Sequence, residues 1–527
     1  MKRDQMLAAM EERSTVWDII IIGGGATGLG AAVEAASRGH RTVLVESDDF
    51  AKGTSSRSTK LIHGGVRYLR QGQLSMVRQS LRERELLLRN APHLVHMLDF
   101  VLPTYRRGSR EFYYAGLRFY DMLAGHVLSG HTRRLTKRQT CEQLPTLRDD
   151  QLRGGVMYAD GQFDDTRLAI ALARTAAEQG AVVVNAMRVE RLIQQGSRVA
   201  GVAVRDRETN QEILLQGKVV LNATGVFAAD VLQMDETPVG SSNREPPVIA
   251  PSQGSHLVLD QSFLPGSAAL MIPETDDGRV LFAIPWHGKI LLGTTDVAVS
   301  KVSREPRPLD SEVDYLLEHA GRYLNRQPQR SDILSHFAGL RPLVGAKLGS
   351  RATSKLSREH EIYTSDSGLI TVIGGKWTTY RKMGEDLIDH AERSAGLQRR
   401  TSRTAELPLH GCPTAMRTSN ASNHADVHGT DRSRMEDLIR EQPELSQRLH
   451  PKLPYQAVDV MWAARHEMAR SVEDVLARRT RALLLDARAS MESAPFVAEL
   501  LVKELGRDKQ WQQEQITGYC QLARETY

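Results

Sequence analysis

The first ordered element of the chain is an apolar run, not an alternating stripe. Residues 17–22 carry four consecutive isoleucines, which predicts a strand buried on both faces and hence a parallel sheet. Gly23-Gly24-Gly25-Ala26-Thr27-Gly28 follows, then a small-residue helix over 29–37 ended by Gly39, and a second apolar strand over 41–45 finishing at Glu46. This is a βαβ start of about 30 residues. A helical period returns over 74–90, with Leu74, Val77, Leu81, Leu87 and Leu88 on its apolar side. A helix over 166–179 feeds a strand at 181–185. Residues 187–220 read as a β-meander, with strands at 198–204 and 212–216 around Glu208-Thr209-Asn210 and a separate apolar strand at 218–221 closing in Asn222-Ala223-Thr224-Gly225. Apolar runs at 256–259, 280–284 and 290–292 make 250–296 strand-like. Residues 369–373 form another buried strand before Gly374-Gly375-Lys376 and a helix over 380–395. The Ser, Thr, Asn, Arg and Gly content of 401–434 predicts a linker or loose loop. From 435 onwards the pattern is helical, as over 458–476 and 490–505.

These elements predict a mixed α/β and α+β chain. A Rossmann domain is assembled from 17–90, 150–240 and 345–395, and a β-rich substrate domain from 91–149 and 241–344. A linker spans 396–434 and an all-α C-terminal domain 435–527. A length of 527 residues accommodates this division, and 41% hydrophobic with 25% charged residues excludes a disordered chain. The three cysteines, Cys141, Cys412 and Cys520, have no short spacing. That excludes a disulfide framework, a redox pair and a cysteine-rich metal site, and predicts a reducing, cytoplasmic compartment. Residues 1–17 mix charged and polar side chains without an apolar core, so no secretory signal is expected. No apolar run approaches the ~20 residues of a membrane span, which leaves peripheral binding open.

Charge sharpens the picture. Lys plus Arg number 69 against 64 Asp plus Glu, a net +5 too dilute to imply nucleic acid. Yet residues 53–82 hold six cations and no acid (Arg57, Lys60, Arg67, Arg70, Arg78, Arg82). Residues 341–358 hold five more, again without an acid (Arg341, Lys347, Arg351, Lys355, Arg358). The rest of the chain therefore carries 5 − 11 = −6.

Gly23, Gly25 and Gly28, set between a strand and a helix, allow a tight turn and close approach to a pyrophosphate. Glu46 is placed to accept from a ribose hydroxyl. Two further signals select FAD over a nicotinamide. One is the strand ending in Ala223-Thr224-Gly225, similar to a second contact segment of glutathione-reductase-type flavoproteins. The other is Gly374-Gly375 before a helix, whose N-terminus would face the charge that develops on a reduced flavin. No second glycine fingerprint exists for a nicotinamide. Between 53 and 69 the small residues Thr54, Ser55, Ser58, Thr59, Gly64 and Gly65 let backbone pass a bulky ligand. The interleaved Arg57, Lys60, His63 and Arg67 imply an anionic substrate.

This segment, with Gly339-Leu340-Arg341-Pro342-Leu343 and the run from Gly374 to Arg381, closely resembles the FAD-dependent glycerol-3-phosphate dehydrogenases. Arg465-His466-Glu467-Met468-Ala469-Arg470 and the run from Val475 to Thr480 are similar to that family's terminal helical module. The resemblance implies a glutathione-reductase-type FAD fold and oxidation of glycerol 3-phosphate at C2 to dihydroxyacetone phosphate, with hydride passing to flavin N5. It further implies electron transfer to a membrane quinone, a homodimer, and a peripheral place on the inner face of the cell membrane. An oxygen-reducing oxidase is the alternative, and an amine or amino-acid oxidase a more distant one. Arg67 and Arg341 are then the leading phosphate contacts, supported by Tyr68, Lys376 and Thr379. His63 or His256 is the candidate base, since the C2 hydroxyl must lose a proton as the carbon loses hydride. His63 and Lys376 are also candidate cofactor contacts. Gly293-Thr294-Thr295-Asp296 reads as a strand terminus held by local bonds. No metal site is expected: His466-Glu467 begins like a zincin helix, but Arg470 stands where the second histidine would be. The cations at 478–481 read as a solvated helix face, with anionic lipid as the lesser alternative.

Overall fold

The computed structural model describes residues 1–12, 16–66, 69, 72–124, 132–235, 247–273, 275, 276, 278–345, 360–413 and 424–526. Its first sheet is centred on Val16–Ile22, with Glu212–Asn222 and Thr42–Val45 parallel on either side. Val182–Val184 and Ile370–Ile373 extend it in parallel, and Glu361–Thr364 closes one edge antiparallel. The isoleucine run has no polar face because both sides are covered. Ile19 and Ile21 pack under the helices Ala26–Ser37, Asp165–Glu178 and Tyr380–Ser394. Ile20 and Ile22 meet the meander Met187–Gln195 and Arg198–Asp206 and the helix Arg3–Glu11. Two of those helices cross at backbone contact, where a Cβ on Gly384 would sit 2.8 Å from the Gly30 carbonyl. The two runs expected at 212–216 and 218–221 are one strand, Glu212–Asn222. Gly217 passes under Ile20, which leaves the pairing with Val16–Ile22 unbroken.

The second sheet is mostly antiparallel. Ile249–Asp260 pairs along its length with Ile333–Val344 and, on its other side, with Lys289–Gly293. Leu281–Trp286 and Ala269–Ile272 follow. Beyond them lie Val95–Thr104, Gly154–Phe163 and Leu61–Ile62. Gly154–Phe163 and Leu61–Ile62 belong here, not to the nucleotide domain in which the sequence places them. A ten-residue antiparallel register with Val95–Thr104 holds the first, and every one of its residues is buried.

The C-terminal region is helical at Arg432–Glu441, Ala457–His466, Ala487–Leu505 and Lys509–Arg524. The helix expected over 458–476 stops at His466, and Met468 turns into the left-handed region (φ 55°). Glu467 explains the break, because it leaves the helix to meet Arg167 with two bonds of 2.7 and 2.8 Å in a buried fork. The cations at 478–481 are likewise interior. Arg478 and Arg479 both grip Asp49, whose carboxyl they hold well below the usual range, and Arg481 reaches Asp165 at 2.8 Å. Neither a solvated face nor a lipid contact is available to them. The stretch expected to be loose is, where described, a packed strap. Thr404 bonds the buried Glu34, Leu409 N donates to Asn90 O, and His410 pairs with Asp431 at 2.8 Å. Residues 414–423 lie outside the described residues.

Candidate active site

A cavity of about 530 Å³ runs between the two sheets, and its two ends differ in chemistry. At the first end, Gly23 turns at φ +109°, and a Cβ there would lie 2.8 Å from the Ala223 carbonyl oxygen. Gly28 does not line the cavity, although the sequence places it among the cofactor contacts. A Cβ on it would overlap the Gly23 carbonyl, so its role is to let the helix start against the turn. Glu46 Oε2 accepts from Gly24 N at 2.6 Å, and Oε1 from Asp48 N at 2.9 Å; burial pushes its carboxyl pKa up. The Ala26–Ser37 helix begins at Gly25 without a side-chain cap of its own, with its first amides turned to the cavity wall. Ala26 N finds Ser55 Oγ at 2.9 Å. Met187, Val189, Phe227 and Val231 add an apolar flank, and Ala223 and Gly225 close it. A glycine cradle, an open helix N-terminus, a ribose-directed acid and an apolar slot suit FAD, whose adenosine and pyrophosphate make those demands in that order.

The second end collects Thr54, Ser55, Arg57, Ser58, Thr59, His63, His256, Arg341, Gly374, Gly375, Lys376 and Thr378 on one wall or another. Arg341 lies over Gly254, where any Cβ would overlap its guanidinium. It donates to Thr295 O at 3.3 Å and to Thr294 Oγ1 at 3.2 Å. Those bonds orient the guanidinium towards the cavity, so Gly293-Thr294-Thr295-Asp296 is an aiming device as well as a strand terminus. His256 stacks on Phe337 at 4.8 Å, pairs through Nε2 with Thr59 Oγ1 at 2.9 Å, and leaves Nδ1 without a hydrogen-bond partner among the described residues. Burial first, then the charges of Lys60 and Arg341, hold its pKa well below the usual imidazole value, so the ring is neutral. Gly293 is obligatory beside it, since a Cβ there would overlap the ring.

Several expected contacts fall elsewhere. Gly64 is turned away from the cavity, its N–H donating to Tyr120 at 2.7 Å, and Gly65 takes its place in the wall. Thr379 is tucked under the chain, bonded to Lys376 O at 3.3 Å, and Thr378 lines the cavity instead. Arg67 and Tyr68 lie outside the described residues. Lys376 lines the cavity and also bonds Ser80 at 3.2 Å. Sequence reading missed Arg279 and Arg304, both in the wall. Arg279 directly precedes the apolar run 280–284, which was its available signal. Phe100, Tyr158, Met271 and Phe282 form an apolar wall from four different strands, a convergence that no local pattern announces.

Beside that wall, the helix Ser109–Ala124 buries Leu117 and Tyr120 and turns its opposite face outward. Phe112 is 68% and Met122 72% exposed, with Phe119 between them on the same stripe. Arg106, Arg107, Arg118, Arg133 and Arg134 are exposed around it. Among the described residues no helix is long and apolar enough to cross a membrane, and no group of side chains could hold a metal ion.

The family model for FAD-dependent oxidoreductases matches residues 18–381, and that for the C-terminal domain of alpha-glycerophosphate oxidase matches residues 342–513. A mitochondrial glycerol-3-phosphate dehydrogenase of Arabidopsis thaliana is 37% identical over 540 residues, covering 95% of this chain and 84% of that protein. The mitochondrial enzyme of Homo sapiens is 37% identical over 546 residues, covering 98% of this chain and 74% of its own. The crystal structure of a glycerol-3-phosphate dehydrogenase from Bacillus halodurans complexed with FAD superposes with a TM-score of 0.79 at 28% identity, covering 99% of this chain and 97% of that one.

Proposed function

Because the chain belongs to the FAD-dependent glycerol-3-phosphate dehydrogenases, we propose that it oxidises sn-glycerol 3-phosphate at C2 to dihydroxyacetone phosphate and delivers the electrons to a membrane quinone. The observation that carries this reading is the pairing, at one end of an FAD-shaped cavity, of a held guanidinium with a buried neutral imidazole. FAD, when bound, supplies the acceptor for the hydride and its two electrons. The chain's own residues do the rest. Arg341, with Lys376 in the same cavity lining, binds the phosphate dianion, and Gly254 makes room for the fork. Substrate charge then acts on the base. Arg341 is one of the groups that depress His256, so a dianion beside it offsets that effect and strengthens His256 as the acceptor of the C2 hydroxyl proton. His63, half-buried in the cavity lining, is our candidate for relaying the proton outward. The apolar wall of Phe100, Tyr158, Met271 and Phe282 gives a non-polar acceptor a surface that glycerol phosphate does not use.

The apolar, arginine-rimmed face of Ser109–Ala124 supports a peripheral place on an anionic membrane, which we assign to the inner face of the cell membrane. Anaerobic addition of glycerol 3-phosphate should bleach the yellow holoenzyme, and a quinone analogue should restore the colour. No bleaching would refute the proposed substrate. Rapid peroxide formation in air without the analogue would establish the oxidase instead.

A further inference from the structure

Behind the reaction end, outside the cavity lining, two fully buried cations converge on one carboxylate. Asp165 Oδ2 accepts from Lys60 Nζ at 2.5 Å and from Ser58 Oγ at 2.7 Å, while Oδ1 accepts from Arg481 at 2.8 Å. Both cations also donate to Ser56 O, Lys60 at 2.7 Å and Arg481 at 3.3 Å, and both lie over the Trp286 ring. Each has left-handed backbone, at φ 60° for Lys60 and φ 67° for Arg481. Non-glycine residues hold that conformation only where their surroundings over-determine it. Arg481 comes from the C-terminal helical region. The segment it grips, Ser56 to Lys60, carries Ser58 and Thr59 in the cavity wall, and Thr59 Oγ1 holds His256 Nε2.

We propose that Arg481 is a positioning residue for the reaction, acting through Asp165 to fix the 56–60 segment and thereby the orientation and charge environment of His256. The C-terminal region is then a working part of the active site and not only a cover. This deepens the proposed function and rests on it. The electrostatics agree with the geometry. Burial lowers Lys60 to about 7, Asp165 opposes that shift, and Arg481 adds to it; the Lys60 charge in turn depresses His256. The other charged groups facing this cluster are Asp164, at 3.7 Å from Arg481, and His287, which pairs with Asp164 at 3.3 Å.

The test is Arg481→Gln in the full-length holoenzyme. Three readouts apply: FAD content, the rate of anaerobic flavin reduction by glycerol 3-phosphate across pH, and amide exchange of the 53–63 segment. With Arg481 gone, Lys60 keeps its proton to higher pH, so the limb of the rate profile that follows Lys60 should move upward. The limiting rate should fall about tenfold while the apparent substrate affinity changes little, since Arg481 does not reach the substrate wall. Exchange of the segment should rise. A variant with full FAD content and the wild-type pH limb would overturn the proposal even if its rate were lower, because a purely structural loss leaves that limb in place. If Arg481→Gln fails to retain FAD, Asp165→Asn decides. It keeps the side-chain shape but removes the charge through which Arg481 acts, so wild-type rate and exchange in that variant would overturn the proposal. Bleaching of the unmodified enzyme tests the substrate separately, so failure of either claim is recognisable.

Discussion

Arg341 has the most direct consequence at the scale of single residues. Charge-assisted bonds to a phosphate contribute roughly 1.5–3 kcal/mol, so Arg341→Ala should raise the KM for glycerol 3-phosphate about 10- to 100-fold. Its kcat should suffer less, and steady-state kinetics at saturating acceptor would show it. Gly293→Ala should act the other way. Its new methyl collides with the His256 ring, so flavin reduction should slow at least about tenfold while FAD content stays near normal. Gly28→Ala collides with the Gly23 carbonyl and should instead yield colourless, FAD-free protein. These residues were legible as glycines in a fingerprint or arginines in a motif, but their duties were not. Gly28 shapes the turn without touching the cavity, and Gly64 turns away because Tyr120, far along the chain, takes its amide. What a side chain bonds to is a tertiary fact.

At the scale of elements, hydrophobic pattern worked wherever burial followed local sequence. The isoleucine strand and its flanking helices, the 74–90 helix and the strand before Gly374 all follow it. It failed where buried ion pairs override local preference. Glu467 abandons its helix for Arg167, and the arginines at 478–481 look solvated yet face Asp49 and Asp165. The helix Ser109–Ala124 shows the opposite case, apolar residues kept on the outside. Replacing both Phe112 and Met122 with Glu should release the protein from vesicles rich in anionic lipid, with bleaching by glycerol 3-phosphate unchanged. Co-sedimentation of the variant as strongly as the wild type would remove that helix from the membrane contact.

Across the whole molecule, the C-terminal region is held by carboxylates whose pKa values the arginines paired with them and Lys52 depress. Burial alone would raise Glu473, but Arg478 and Lys52 bring it from 4.5 to about 2, and Arg167 likewise holds Glu467 far below its ordinary value. A depressed carboxyl stabilises fully above its unfolded pKa and loses that contribution as pH falls through the folded one. The attachment should therefore be intact at neutrality and weaken as pH falls from about 4.5 towards 2. Amide exchange in 457–486 should rise over that interval before the first sheet opens. Fold class and cofactor were readable from ordered local motifs. The attachment was not, because its partners are up to 430 residues apart in sequence. That separation governs how the protein is made. Asp49 leaves the ribosome 430 residues before Arg479, so until its two arginines follow the carboxylate lacks the guanidiniums it is buried against. It stays hydrated, and the turn that carries it should not close, until those arginines have been made. A chain truncated before Arg478 should keep that turn open, and flavin loading becomes a report on whether synthesis has passed Arg479.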